Sequence, residues 1–419
     1  MSHSPRIRTV LSCTMLVAAL GAGATACGSS DGHPLSAKPY DAAGQIAFNG
    51  PVGSQKADPD KPLEVTAQGK EGRITDVTAT DAMGRYVAGE LSADGERWHS
   101  TAPLAAGAQY TVRVSTEDEE GSPGRKVMTF DTSEAAKKKQ LKVTFGPEAG
   151  KYGVGQPVTA SLNRPVKGKE ARAIVERALK VRSVPAADGA WYWVDSETLH
   201  FRPKEYWPAG ATVHVSSNLE GIKVNDKLWG GDAKPLKLTI GDRIEAVTDA
   251  SSHWMTVYRN GEEINSIPVT TGKPGYSTRN GVKVVLGKEY FVRMRGTSIG
   301  IPTGSADSYN LPVYYATRLT DTGEYVHAAP WSVGSQGYDN VSHGCVGMST
   351  GNAAWFFETV RQGDITRTVN SYGEDMPAFG NGLGDWNMSW KKWREGSALL
   401  SGTKEGPAPV DAARLRPQV

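Results

Sequence analysis

The chain has 419 residues, 38% of them hydrophobic and 22% charged, with 47 Lys and Arg against 45 Asp and Glu for a formal charge of +2. At roughly 150 residues per domain this length implies two to four domains and rules out a single compact one. Near-neutrality is not the charge balance of a protein that holds nucleic acid by bulk electrostatics, and 48 Gly, 24 Pro, 11 Trp and 15 Tyr favour short strands and many turns while excluding a collagen or a coiled coil.

In chain order, Arg6 and Arg8 precede an apolar run from Val10 to about Leu20, which thins into small residues up to Ala26. These are the charged, apolar and small-residue zones of an export signal, here residues 1–26, and the run is too short for a comfortable membrane span. Ala24 and Ala26 ahead of Cys27, followed by Gly28-Ser29-Ser30-Asp31, resemble the lipobox of bacterial lipoproteins, with Ala24 where leucine is usual. Acylation of Cys27 is therefore expected, tethering the chain to the cell membrane on its extracytoplasmic face. Cys13 leaves with the leader and Cys27 is consumed by lipid, so Cys345 remains as the free thiol of the mature chain and no disulfide framework is available. A lone exported thiol is either a buried inert residue or a reactive one, and its neighbours decide which.

Residues 27–43, rich in Gly, Ser, Pro and Asp, read as a flexible linker. Beyond it, short alternating segments are broken by turn residues, as in an all-β unit; Tyr110, Val112 and Val114 fall on one face of a half-buried strand. A weak internal repeat places Trp98 ahead of Gly107 and Tyr110-Thr-Val112, and Trp193 ahead of Gly210 and Val213-His-Val215. The copies are spaced by about the size of an immunoglobulin-like sandwich. Two such domains are expected, 44–138 and 139–241, divided by the solvated lysine run around Lys137–Lys139.

A third unit, 242–370, opens on a hairpin signal: Trp254–Arg259, an Asn260-Gly261 turn, then Ile264–Val269. Further strands are expected over 282–286, 290–294 and 314–318. One helix is convincing, capped by Ser349 or Thr350, with Ala353, Phe356, Phe357 and Val360 on one face and Gly363 as its stop. Residues 371–400 contain Trp386, Trp390 and Trp393 at helical spacing and read as a short helix docked on a neighbouring domain, while 401–419 has too little apolar content to fold.

The chemistry concentrates between His327 and Gly347. A thiol with an ordinary pKa of roughly 8.5 is only a few per cent thiolate at neutral pH, so a nucleophilic Cys345 needs a base, and His327 or His343 could supply it. Gly344 lets the backbone approach a substrate, and the amides around Cys345 could form an oxyanion hole. The residues alone point to acyl transfer through a thioester. A metal site of His327, His343 and Cys345, with Asp339 or a distant fourth ligand, matches no trustworthy zinc spacing, so neither metal nor other cofactor is expected.

Ser342-His343-Gly344-Cys345, with His327 upstream, resembles the signature of the L,D-transpeptidases, the penicillin-insensitive peptidoglycan cross-linking enzymes. Tyr325-Val-His327-Ala-Ala-Pro330-Trp331, the helix with Trp355-Phe356, and Gly382-Leu-Gly-Asp385-Trp386-Asn387 are similar to the actinobacterial lipoprotein branch, which carries two immunoglobulin-like domains ahead of the catalytic one. The resemblance covers roughly residues 45–396. It implies a mainly β fold, two immunoglobulin-like sandwiches followed by a β-rich catalytic domain with one or two short helices. It also implies Cys345 as nucleophile, His327 as its base, and His343, Gly344 and Cys345 as oxyanion amides. A backbone carbonyl, of Ala328 or a neighbour, would orient the imidazole; Tyr309, Met294, Trp331 and Ser342 complete the substrate-contacting set. Two positions depart from the family pattern: Gly347 replaces an Asn, and Thr278-Arg279-Asn280-Gly281 lacks the usual proline.

The implied activity is formation of 3→3 cross-links between peptidoglycan stem peptides by a monomer at the cell membrane, with acylation by carbapenems. An L,D-carboxypeptidase using the same residues, or a non-catalytic wall-binding protein, are the alternatives.

Overall fold

A computed structural model describes residues 39–401, apart from 51–54, 69–71 and 137–138. The leader, Cys27 and the tail from 402 lie outside the described residues. In the first unit one sheet orders Tyr40–Asp41, Pro123–Asp131, Gln109–Asp118 and Gly72–Asp81, and the other orders Ile46–Phe48, Glu64–Ala67, Arg97–Ser100 and Gly89–Leu91. Period-two alternation sends Tyr110, Val112 and Val114 inward from the central strand, where they meet Trp98 and Phe130 between the sheets.

The second unit repeats the plan. Val143–Gly146, Val158–Leu162, Thr198–Pro203 and Gly189–Trp193 form one sheet; Gly150–Tyr152, Leu236–Ile240, Thr212–Ser217 and Leu179–Val184 form the other. Its core gathers Trp191, Trp193, Phe201 and Trp207. A helix over Lys169–Ala178 goes beyond the strand-and-turn expectation; it buries Ala171 and Val175, four residues apart on one helical face, and Glu176, which accepts from Trp193 Nε1 at 3.2 Å.

Between the sandwiches the contacts are mostly polar: Ala106 N–H donates to Gly221 O at 2.7 Å, Arg85 Nη1 reaches the carbonyls of Asn218 (2.8 Å) and Glu220 (2.7 Å), Lys223 Nζ pairs with Asp60 Oδ1 at 2.7 Å, and Ile222 packs against both cores. The second sandwich and the third unit are joined differently. Val284 and Ile365 of the third unit belong to the sandwich's own apolar cluster. Gly153 and Gly155 donate to the carbonyls of Gln362 and Gly363, both at 2.9 Å, and a Cβ on Gly153 would stand 2.3 Å from Asp364 N and 2.4 Å from Gly363 C, both backbone atoms, so only glycine admits this approach.

The third unit packs two sheets around Met255, Val257, Val326, Val346, Met348 and Phe356. The first orders Glu262–Pro268, Trp254–Arg259, Ile244–Asp249, Ile365–Val369 and Gly281–Val284. Asn260 (φ 53°) and Gly261 (φ 91°) turn its hairpin as the dipeptide predicts. The second sheet orders Gly287–Arg295, Asn310–Arg318, Tyr325–Ala328 and Val346–Met348, the last two strands running parallel. Ser349 caps the helix Thr350–Thr359 by accepting from Asn352 N–H, and that helix packs behind the same sheet.

The tryptophan stripe is not one helix. Trp386 lies in a 3₁₀ turn, Asp385–Asn387, and Ser389 starts a separate helix, Trp390–Glu395, by accepting from Lys392 N–H at 3.3 Å. A serine that can cap broke the run that its spacing suggested. The docking expectation has a concrete form all the same: Arg202 of the second sandwich lies 4.8, 5.5 and 4.6 Å from the ring centres of Trp386, Trp390 and Trp393, while Trp393 is fully buried and donates to Ala190 O at 2.9 Å.

Candidate active site

Parallel pairing between Tyr325–Ala328 and Val346–Met348 builds the site. It sets His327 opposite Gly347, leaving Cys345 on the turn just before the second strand. The turn is held from within: Ser342 Oγ donates to Cys345 O at 2.6 Å and accepts from Gly344 N–H at 3.1 Å. Gly344 has φ +117°, where a side chain would be strained, and its carbonyl accepts from Thr278 Oγ1 at 2.8 Å. Among the described residues no turn, loop or cap hydrogen bond claims the amides of His343 and Cys345.

His327 is buried, and its Nδ1–H donates to Ala328 O at 2.8 Å, which fixes the tautomer and leaves Nε2 as the acceptor. Burial pushes its pKa below the ordinary 6.5, so the ring is neutral near physiological pH. The Cys345 thiol is only partly exposed, and burial pushes it up to about 12, with the amide of Tyr325 working the other way. In this conformation Sγ–H points to Gly323 O at 3.5 Å and not to the imidazole.

His343 has different company. Its ring sits 4.7 Å from Tyr276 and 4.9 Å from Tyr309, centre to centre, and Nε2 is 3.7 Å from Asp307 Oδ1. Lys273 also pairs with that carboxylate, and Tyr276 donates to its other oxygen at 3.2 Å. Burial and then Lys273 lower the His343 pKa, against the pull of Asp307.

Two cavities meet at the sulfur, sharing Tyr309, His343 and Cys345. The smaller, about 160 Å³, is lined by His327, Met294, Trp331, Ser342 and Gly347. Met294, Leu311 and Val313, on the inner face of the hairpin 287–318, wall it near Cys345, with Val292 packed beside them. The larger, about 640 Å³, is polar, with Tyr276, Arg279, Glu324 and Gly344 in its lining. Every residue expected at the site from the sequence falls here, Ala328 through its carbonyl. Sequence reasoning did not find Lys273, Tyr276 and Asp307 around His343, nor Lys283 and Glu324 behind Cys345; they are scattered single residues with no periodicity to expose them. Among the described residues no three His, Cys, Asp or Glu side chains converge as metal ligands, and no helix is long and apolar enough to cross a membrane.

Gly347 faces the smaller cavity where the family pattern has Asn. A Cβ there would lie 3.0 Å from Ala329 Cβ and 3.1 Å from Thr270 Cγ2, so this pocket is closed around glycine.

Residues 54–223 match the family model of a bacterial Ig domain, a single match spanning both sandwiches, and 243–370 match that of the L,D-transpeptidase catalytic domain. Over 402 residues the chain is 34% identical to L,D-transpeptidase 2 of Mycobacterium tuberculosis, covering 94% of this chain and 96% of that one. It is 30% identical to L,D-transpeptidase 5 of the same organism over 373 residues, covering 87% and 77%. A solved L,D-transpeptidase in complex with imipenem is 37% identical, covering 54% of this chain and 99% of its own, with a TM-score of 0.47.

Proposed function

This chain belongs to the L,D-transpeptidase family, and from that premise we propose that it joins peptidoglycan stem peptides by 3→3 cross-links through a thioester on Cys345. His327 Nε2 takes the thiol proton once Sγ–H leaves Gly323 O. The sulfur attacks the carbonyl between the diamino acid at position three of a tetrapeptide stem and its terminal D-Ala. The amides of Cys345 and its neighbours carry the oxyanion, and the proton on His327 passes to the departing amine of D-Ala. The side-chain amine of a second stem then attacks the thioester and loses its proton to His327, and Cys345 leaves as the thiol.

The observation that carries this reading is the meeting of two cavities at one sulfur, since a transfer between two peptides needs two approaches to the acyl carbon. His327 assigns them. Leaving amine and attacking amine both exchange a proton with it, so D-Ala departs and the acceptor arm enters through the smaller cavity, while the acyl donor lies in the larger. Carbapenems acylate Cys345 by the same attack on a strained amide. The chain works at the extracytoplasmic face of the membrane, held by an acyl group on Cys27.

Incubation of the purified protein with a disaccharide-tetrapeptide tests the reading: a dimer lacking one D-Ala is expected. Tripeptide without dimer would remove cross-linking in favour of hydrolysis.

A further inference from the structure

The larger cavity has one cation in its wall. Of the described residues that line it, Arg279 alone is positively charged near neutral pH, since burial and Lys273 hold His343 below its ordinary pKa. The two carboxylates of the lining leave that charge open. Glu324 is shared between Arg279 Nη1 and Lys283 Nζ, each at 2.9 Å, and Glu374 is exposed to solvent. The Arg279 side chain is 33% exposed, and among the described residues no hydrogen bond claims its Nε or Nη2. Those two nitrogens form one edge of the guanidinium, a pair of parallel donors with the spacing of a carboxylate's oxygens.

The arginine is held from both flanks. Thr278 is buried, and its Oγ1 accepts from Gly272 N–H at 3.0 Å while donating to the Gly344 carbonyl. Asn280 Nδ2 donates to the carbonyls of Ser371 and Gly373, both at 2.9 Å, and its Oδ1 accepts from Ser371 N–H at 3.0 Å. Between them the Arg279 amide donates to Glu324 Oε1 at 3.2 Å. The proline of the family pattern could supply neither that amide nor a cation here. A guanidinium already fixed in place loses little freedom when a ligand arrives.

We propose that Arg279 is a specificity-determining residue, whose free Nε–Nη2 edge takes a carboxylate of the donor stem in the larger cavity. The inference rests on the reading that the acyl donor lies there. On the acyl side of the attacked bond a stem offers this chemistry at two places. One is the α-carboxylate of a glutamate linked through its side chain at position two, and the other is the second carboxylate of a diaminodicarboxylic acid at position three.

The test is isothermal titration of disaccharide-tetrapeptides into the full chain carrying Cys345→Ala, so that no acylation consumes the ligand, with melting temperature as a fold control. Three stems are compared: both carboxylates free, amidated at position two, and amidated at position three. One amidation raises Kd about tenfold and the other leaves it within about twofold, so the effective one names the source. Adding Arg279→Gln raises Kd of the free stem about tenfold and brings the three stems together, whereas Arg279→Lys, which keeps the charge, retains part of the difference. Equal Kd for all three stems in the Cys345→Ala chain overturns the proposal, whether or not the arginine variants fold. An Arg279→Gln chain that weakens all three stems alike overturns it too, since that is the result of a merely structural role. Dimer formation is read separately with Cys345 intact. Stems that are discriminated but never joined sink the cross-linking reading alone, and stems that bind alike yet are joined sink only the role of Arg279.

Discussion

His327 and His343 stand on either side of Cys345, and from spacing alone either could be its base. Their surroundings divide the work. His327 is sealed on a β-strand, with one nitrogen spent on the Ala328 carbonyl and the other free to take a proton in the smaller cavity. His343 is pressed between Tyr276 and Tyr309 and faces the Asp307 carboxylate that Lys273 also holds, an arrangement that fastens the loop before Asn310 to the turn carrying the nucleophile. A proton acceptor needs a fixed tautomer and an open lone pair, whereas a ring that packs needs flat neighbours. Only the folded chain shows which histidine has which.

The largest test of this contrast is substitution of each ring. His327→Ala should slow meropenem acylation of Cys345, followed by intact mass, by at least tenfold and toward 10²–10⁴, the range of a general base, while His343→Ala should cost less than about tenfold. Equal losses would erase the distinction.

Next comes pH. The folded pKa of His327 lies below its unfolded value near 6.5, so the stability linked to it is present above that value and is lost as pH falls through the folded one. The melting temperature of wild type should drop between pH 7 and pH 5 by more than that of His327→Gln; parallel curves would mean the ring is not buried in its neutral form. Loosening the other side should be milder. Asp307→Asn weakens the hold on Lys273, Tyr276 and His343 and is expected to raise KM several-fold with kcat little changed; the reverse split would move Asp307 into the chemical step. Smallest is Gly347→Asn, which overpacks the His327 cavity against Ala329 and Thr270 at a cost of about 1–3 kcal/mol by denaturant unfolding. An unchanged midpoint there would show that the pocket yields freely.

Much of this is legible in the amino-acid sequence. Alternation marked Tyr110, Val112 and Val114 as an inward face; Asn260-Gly261 fixed a hairpin; a capping serine and an apolar face located the helix Thr350–Thr359. The thiol and its two histidines were exposed by their scarcity. Other features depend on register and not on pattern. Lys283 reads as an ordinary surface lysine until the pairing of Gly281–Val284 with Ile365–Val369 turns it inward beside Thr368. Asp307 gains meaning only when a loop closes on residues some thirty positions earlier. The helix Lys169–Ala178 has its apolar spacing in plain view at Ala171 and Val175, but the turn-broken strand spacing of the unit as a whole points to β-structure and not to a helix.

The seam at Gly153 and Gly155 makes the second sandwich and the third unit one stiff head, because they share an apolar cluster and Arg202 is clasped by the C-terminal tryptophans. The joint between the two sandwiches is more polar, built on Ala106, Arg85, Ile222 and the Lys223–Asp60 ion pair. Because the head is shared, both cavities at Cys345 are borne on a base of two domains, and a substitution at the glycine seam would be felt at the catalytic unit as well as in the sandwich.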